Sequence, residues 1–176
     1  MAIHWILAIA LLTSSGSVGK KPAPQVGTKA PTIVSRQWLN MYPLEPKDFE
    51  GKILVVEFWT FGSVKCMATV SAMRKLHRLF PTNEVAVVSV HTPESDHEKE
   101  LQHLEDAIRS LDIDYPVAVD NDRVIWKDFH NRQWPALYVV DRREVIRYVH
   151  TGDLREHTAR WDSLLEAIQI VRKEVP

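Results

Sequence analysis

Ser63 and Cys66 are separated only by Val64 and Lys65, within the stretch Glu57-Phe58-Trp59-Thr60-Phe61-Gly62-Ser63-Val64-Lys65-Cys66. A β-branched run, Ile53–Phe58, leads into this stretch, and helical composition runs from Cys66 to Phe80, where Pro81 stops it. The pair therefore falls where a buried strand meets the start of a helix. Main-chain N–H groups and the dipole at a helix N-terminus stabilise an anion, so a thiol placed there is expected to ionise more readily. Thiol–disulfide exchange uses this arrangement: a first, exposed cysteine attacks, and a second, three residues on, resolves the mixed disulfide. Here serine stands in the attacking position, and a serine hydroxyl is a poor nucleophile at neutral pH without an activating base. A hydrolase would need a G-x-S-x-G elbow or a lysine three residues after the serine, and neither is present.

Other chemistry is thinly represented. Cys66 is the single cysteine of 176 residues, so no intramolecular disulfide and no Cys-rich metal cluster can form. The eight histidines, among them His91, His97, His103, His130, His150 and His157, show no H-x-x-x-H spacing. They are read as scattered surface or loop residues, and neither a metal nor a cofactor is expected. With 22 Lys+Arg against 23 Asp+Glu, the net charge of -1 gives no electrostatic case for nucleic acid or an anionic membrane surface.

The elements that must position Ser63 and Cys66 alternate between strand and helix. The chain is 45% hydrophobic and 26% charged, which fits one globular domain with a real core. Val85–Val90 reads as a second buried strand, and Glu98–Leu111 as an amphipathic helix with Leu101, Leu104, Ile108 and Leu111 on one face. Pro116–Val119 and Leu137–Val140 are short strands, and Val145–Val149 pairs with the latter across the polar turn at 141–144. Trp161, Leu164, Leu165, Ile168 and Val171 stripe a closing helix. The pattern predicts a three-layer α/β domain whose sheet is covered on both faces.

The N-terminus reads differently. Residues 1–19 carry no Asp, Glu, Lys or Arg, and the apolar run Trp5–Leu12 gives way to the small residues 13–17. A short apolar core followed by small residues is a secretory signal pattern, though only the α-amino group and His4 supply its basic end. The run is too short to span a bilayer, which takes about 20 apolar residues. Residues 1–19 are thus expected to be a signal peptide and 20–29 a linker. The domain is expected over 30–176, periplasmic or secreted, with no stable membrane insertion once the signal is removed.

Four motifs in order carry a family resemblance. They are Phe58-Trp59 with Ser63 and Cys66, then Val90-His91-Thr92-Pro93-Glu94, then 115–122 (YPVAVDND), and finally Trp126 with 131–138 (NRQWPALY). Together they resemble the thioredoxin-like superfamily, specifically exported domains of the TlpA/DipZ type, over about residues 30–171. The resemblance implies a thioredoxin-like fold with a central mixed β-sheet flanked by helices. It implies that Cys66 is the resolving cysteine, that Glu57 is the buried acid that accepts its proton, and that Pro135 is a cis-proline facing the pair. Ser63 departs from the family pattern, as does Gly152-Asp153-Leu154 from its glycine-acid-glycine turn. Trp59 and Trp134 read first as packing residues beside the site and, with Pro135, as the candidate surface for a client.

The expected function is that of an exported, monomeric member of the thiol–disulfide oxidoreductase family with an S-x-x-C site of weak or no dithiol activity. Its partners would be client proteins or peptides with thiols or disulfides. Whether it is an enzyme at all stays open, because Ser63 replaces the attacking cysteine. One alternative is a non-catalytic peptide-binding module. Another is a one-cysteine peroxidase, since Ser63…Cys66 resembles the T-x-x-C of peroxiredoxins, although Trp59 occupies the position of their upstream proline.

Overall fold

The computed structural model describes residues 25–174. Ten main elements follow in order: β1 (Trp38–Leu39), β2 (Ile53–Trp59), α1 (Val64–Leu79), β3 (Val85–His91), α2 (Leu101–Ser110), β4 (Val117–Val119), α3 (Val124–Asp128), β5 (Ala136–Val140), β6 (Ile146–Thr151) and α4 (Ala159–Lys173). The strands form one six-stranded mixed sheet in the order β1-β4-β3-β2-β5-β6. β2, β3 and β4 run parallel, joined through α1 and α2, and β5, β6 and β1 are antiparallel to their neighbours. This is the expected three-layer α/β architecture with a mixed central sheet.

Strand alternation divides the core in two. Ile53, Val55 and Trp59 of β2 pack with Val70, Met73 and Leu76 of α1, Leu104 and Ile108 of α2, and Leu164 and Ile168 of α4. Val56 and Phe58, pointing the other way, pack with Ile125, Trp126 and Phe129 around α3 and with Ile33 and Trp38 from the N-terminal segment. One face of the sheet therefore carries three helices. The other is closed by a single short helix and an irregular strap.

Two local readings need correction. The helix expected over 98–111 breaks at Glu100 into a 3₁₀ turn (Asp96–Lys99) and α2. The break follows from Glu98, whose buried carboxylate turns inward to accept hydrogen bonds from the Glu94 N–H and the Ser95 hydroxyl. β1 and α3 have no counterpart in the sequence reading. α3 is only five residues long, and it is nucleated from outside, by Asp120 accepting from the N–H groups of Ile125 and Trp126. The end of the expected linker lies against the sheet edge: Gly27 donates to the Ile146 carbonyl, Ile146 to Thr28, and Lys29 bridges Val145. The expected signal segment lies outside the described residues, and among those described no helix is long and apolar enough to cross a membrane.

Candidate functional site

β2 delivers the site. Its register places Glu57 opposite Ser89 and Trp59 opposite His91 on β3, so four side chains share the sheet face beneath α1. After Trp59 the chain turns through Thr60, Phe61 and Gly62 into Ser63, the N-cap residue of α1. Gly62 is favoured by contact, not by backbone angle: a Cβ there would lie 2.7 Å from Oε1 of Glu98, whose carboxylate would have to shift. That close approach seats the inward-turned 3₁₀ segment against the start of α1. The Ser63 carbonyl accepts from the Met67 N–H at 3.0 Å, while its hydroxyl makes no capping bond to the helix.

Cys66, the third residue of α1, is fully buried. Burial pushes its thiol up to about 11, against hydrogen bonds from the Thr60 main chain and the Ser63 side chain that pull the other way, while Glu57 and Glu94 add a further upward push. The expected lowering by the helix N-terminus is thus overturned. The dipole acts on a group that still touches solvent, whereas desolvation of a fully covered thiolate costs more than the dipole returns.

Glu57 is equally buried. Ser89 and Tyr115 donate hydroxyl hydrogen bonds to its Oε2, each at 3.4 Å, and Oε1 has no partner. Desolvation dominates and raises its carboxyl to about 8, so it is largely protonated at neutral pH. His91 is a correction, because it is fully buried where a surface or loop position was expected. Its ring stacks on Phe61 with centroids 5.4 Å apart and meets Trp59 edge-on at 5.3 Å, and neither ring nitrogen has a partner. Desolvation lowers its pKa to about 3, so the imidazole stays neutral. The thiol, the acid and the imidazole therefore share an interior that carries no charge at neutral pH.

A second set of residues comes from the α3 face. The Trp134–Pro135 peptide bond is cis, and the Pro135 carbonyl accepts from Gly152 N–H at 2.9 Å. The departure at 152–154 is more than a loop change, because Leu154 is fully buried and its N–H donates to the Thr69 hydroxyl of α1. Trp134 is half-buried and stacks on Trp126 with centroids 4.2 Å apart. Arg123 sits over both rings, 5.0 Å from the Trp134 centroid and 5.6 Å from that of Trp126. Tyr138 ties the same loop down by donating to Asn131. Trp59 is covered within the core beneath α1, whereas Trp134 borders solvent and packs against both halves of the core. No group of three or more His, Cys, Asp or Glu side chains that could hold a metal ion occurs among the described residues.

Comparison with known proteins adds to this geometry. A family model described as the AhpC/TSA family matches residues 26–149. Protein DipZ of Mycobacterium tuberculosis is 30% identical over 119 residues, covering 66% of this chain, which spans only 17% of that protein. A solved thioredoxin-like superfamily protein superposes with a TM-score of 0.74 at 27% identity, covering 84% of this chain and 97% of its own. A thiol-disulfide isomerase from Corynebacterium glutamicum gives 0.73 at 25% identity, with 83% and 98% covered.

Proposed function

The chain belongs to the AhpC/TSA family, with a thioredoxin-like fold and a kinship to thiol–disulfide oxidoreductases, and we propose that it is a client-docking member in which dithiol exchange is weak or absent. The observation that carries this reading is Cys66 itself: it is the only cysteine, fully buried, with a thiol pushed up to about 11. A thiol in that state is almost entirely protonated at neutral pH and has no surface from which to attack. Ser63 occupies the attacking position and offers only a hydroxyl, while burial keeps Glu57 protonated and leaves His91 a weak base.

Cys66 corresponds to the resolving thiol and Glu57 to its proton acceptor, each left without a mixed disulfide to resolve. Trp134 and Pro135 form the docking edge for client proteins or peptides, with Trp59 supporting it from below. Non-covalent peptide binding is the alternative that this edge supports as well. Peroxidase chemistry fits poorly, because a peroxidatic cysteine must ionise and meet its substrate. Export follows from residues 1–19 as a signal peptide, with 20–29 as linker and 30–176 as the domain, and agrees with a periplasmic or secreted site of action. N-terminal sequencing of the mature chain tests that division, and cleavage anywhere outside 15–19 contradicts it.

Insulin reduction tests the redox reading. The chain is expected to stay at background, while Ser63→Cys, which restores a C-x-x-C pair at the same strand–helix junction, gains activity by about a hundredfold or more. Turnover by the unaltered chain, or a folded Ser63→Cys variant without activity, overturns the reading.

A further inference from the structure

The main chain at Trp134 is left without a pairing partner. β5 begins only at Ala136, and among the described residues the N–H and C=O of Trp134 take part in no main-chain hydrogen bond. An extended peptide can hydrogen-bond to such an unpaired main-chain segment, and the side chains flanking it then set which residues it accepts.

Arg123 is the flanking side chain. It occupies the left-handed region with φ of 58° as the N-cap of α3, in a turn closed by its own N–H donating to the Asp120 carbonyl. That turn throws the guanidinium back over Trp126, three residues on, and over Trp134. A cation held on indole faces gains from the ring quadrupoles and loses little further freedom on meeting an anion. Arg123 has no acidic partner among the described residues. The nearest buried acid, Asp120, spends its oxygens on Thr92 and on the N–H groups of α3. Nε of Arg123 is buried without an acceptor, while its Nη groups keep solvent contact. Arg132, exposed two residues before Trp134, forms no ion pair either among the described residues.

We propose that Arg123, fixed over Trp134, is a specificity-determining residue that selects extended peptides carrying an acidic side chain next to the Pro135 loop. This rests on the docking reading above and goes beyond it, since docking alone is indifferent to the sign of the client's charge. The carboxylate would take the open Nη groups of Arg123 in a charge-assisted pair, next to a strand hydrogen-bonded to Trp134.

Short, cysteine-free fluorescent peptides that differ only by Glu, Gln or Lys at one central position provide the test, with anisotropy as the readout on the full chain. The Glu peptide is expected to bind about tenfold tighter than the Gln peptide and the Lys peptide weaker still, with the Glu preference shrinking at high salt. Arg123→Gln is expected to erase the Glu preference without changing affinity for the Gln peptide, and Arg123→Lys to keep part of it. Equal binding of all three peptides overturns the acid preference and leaves docking intact. A preference that survives Arg123→Gln overturns the role of Arg123, as does loss of Gln-peptide binding in that variant, which would make Arg123 merely structural. Binding of none of the peptides overturns docking and the selection together.

Discussion

The two faces of the sheet end in unlike halves of one site. Beneath α1, Glu57, Trp59, Cys66 and His91 are all fully buried, and the three titratable groups among them are held uncharged. Above α3, Trp134 is half-buried, its main chain is unpaired, and a cation lies across its ring. The first half contains the reactive groups and is closed; the second has no reactive group and is open. On the proposed reading, such a site has lost its chemistry while keeping the surface that presents a client to it.

The sharpest break in that comparison comes from the two tryptophans. Trp59→Ala in the closed half is expected to cost about 3–5 kcal/mol, because it removes a fully covered ring from the larger core. Trp134→Ala in the open half is expected to cost only about 1–2 kcal/mol, the stacking on Trp126 and partial burial of one ring. Denaturant unfolding of both variants separates them, and equal losses would erase the distinction.

Titration gives the next effect in size, a few kcal/mol at most. The carboxyl of Glu57 is raised to about 8, so the folded chain holds a proton that the unfolded chain has released. Stability is thus lost as pH rises from the ordinary carboxylate range through about 8. His91 acts on the other side. Its pKa is lowered to about 3, so the unfolded chain takes up a proton first, and stability is lost as pH falls from the ordinary imidazole value towards about 3. Glu57→Gln is expected to flatten the alkaline arm of the stability profile and His91→Phe the acid arm. Unchanged profiles would show that these groups are hydrated after all.

The smallest effect belongs to the hinge between the halves and the 3₁₀ segment. Gly62→Ala drives a Cβ against the buried carboxylate of Glu98 and is expected to cost about 1 kcal/mol. Shortening that carboxylate in the same chain, with Glu98→Ala, should relieve the clash, so a double-mutant cycle by thermal melting should give a coupling of similar size.

The sequence made the buried strands legible because β-branched runs at 53–58 and 85–90 can scarcely be anything else, and β2 and β3 extend them by one residue each. The position of Ser63 and Cys66 at a strand–helix junction was readable for the same reason. What escaped depends on contacts across the chain. β1 is two residues held by pairing of Trp38 with Ala118 and Leu39 with Val117, and α3 has no periodicity and is capped by Asp120 from upstream. The burial of His91 follows from its register opposite Trp59, which no local pattern encodes. The thiol shifts opposite to the direction its helix N-terminus suggests, since that terminus is visible in sequence and the covering of Cys66 is not. Arg123 leaves no mark in the sequence because its stack on Trp126 and Trp134 exists only after the left-handed turn has formed.

Alkylation of Cys66 in the folded chain, followed across pH and set against the same reaction in denaturant, tests the closed half directly. A thiol raised from 9.0 to about 11 should react at least about a hundredfold more slowly when folded, with no titration step near the ordinary thiol value. Folded and unfolded rates that agree within a few-fold, with a step at or below the ordinary thiol pKa, would show a reactive cysteine and contradict a site whose chemistry is shut away from its docking surface.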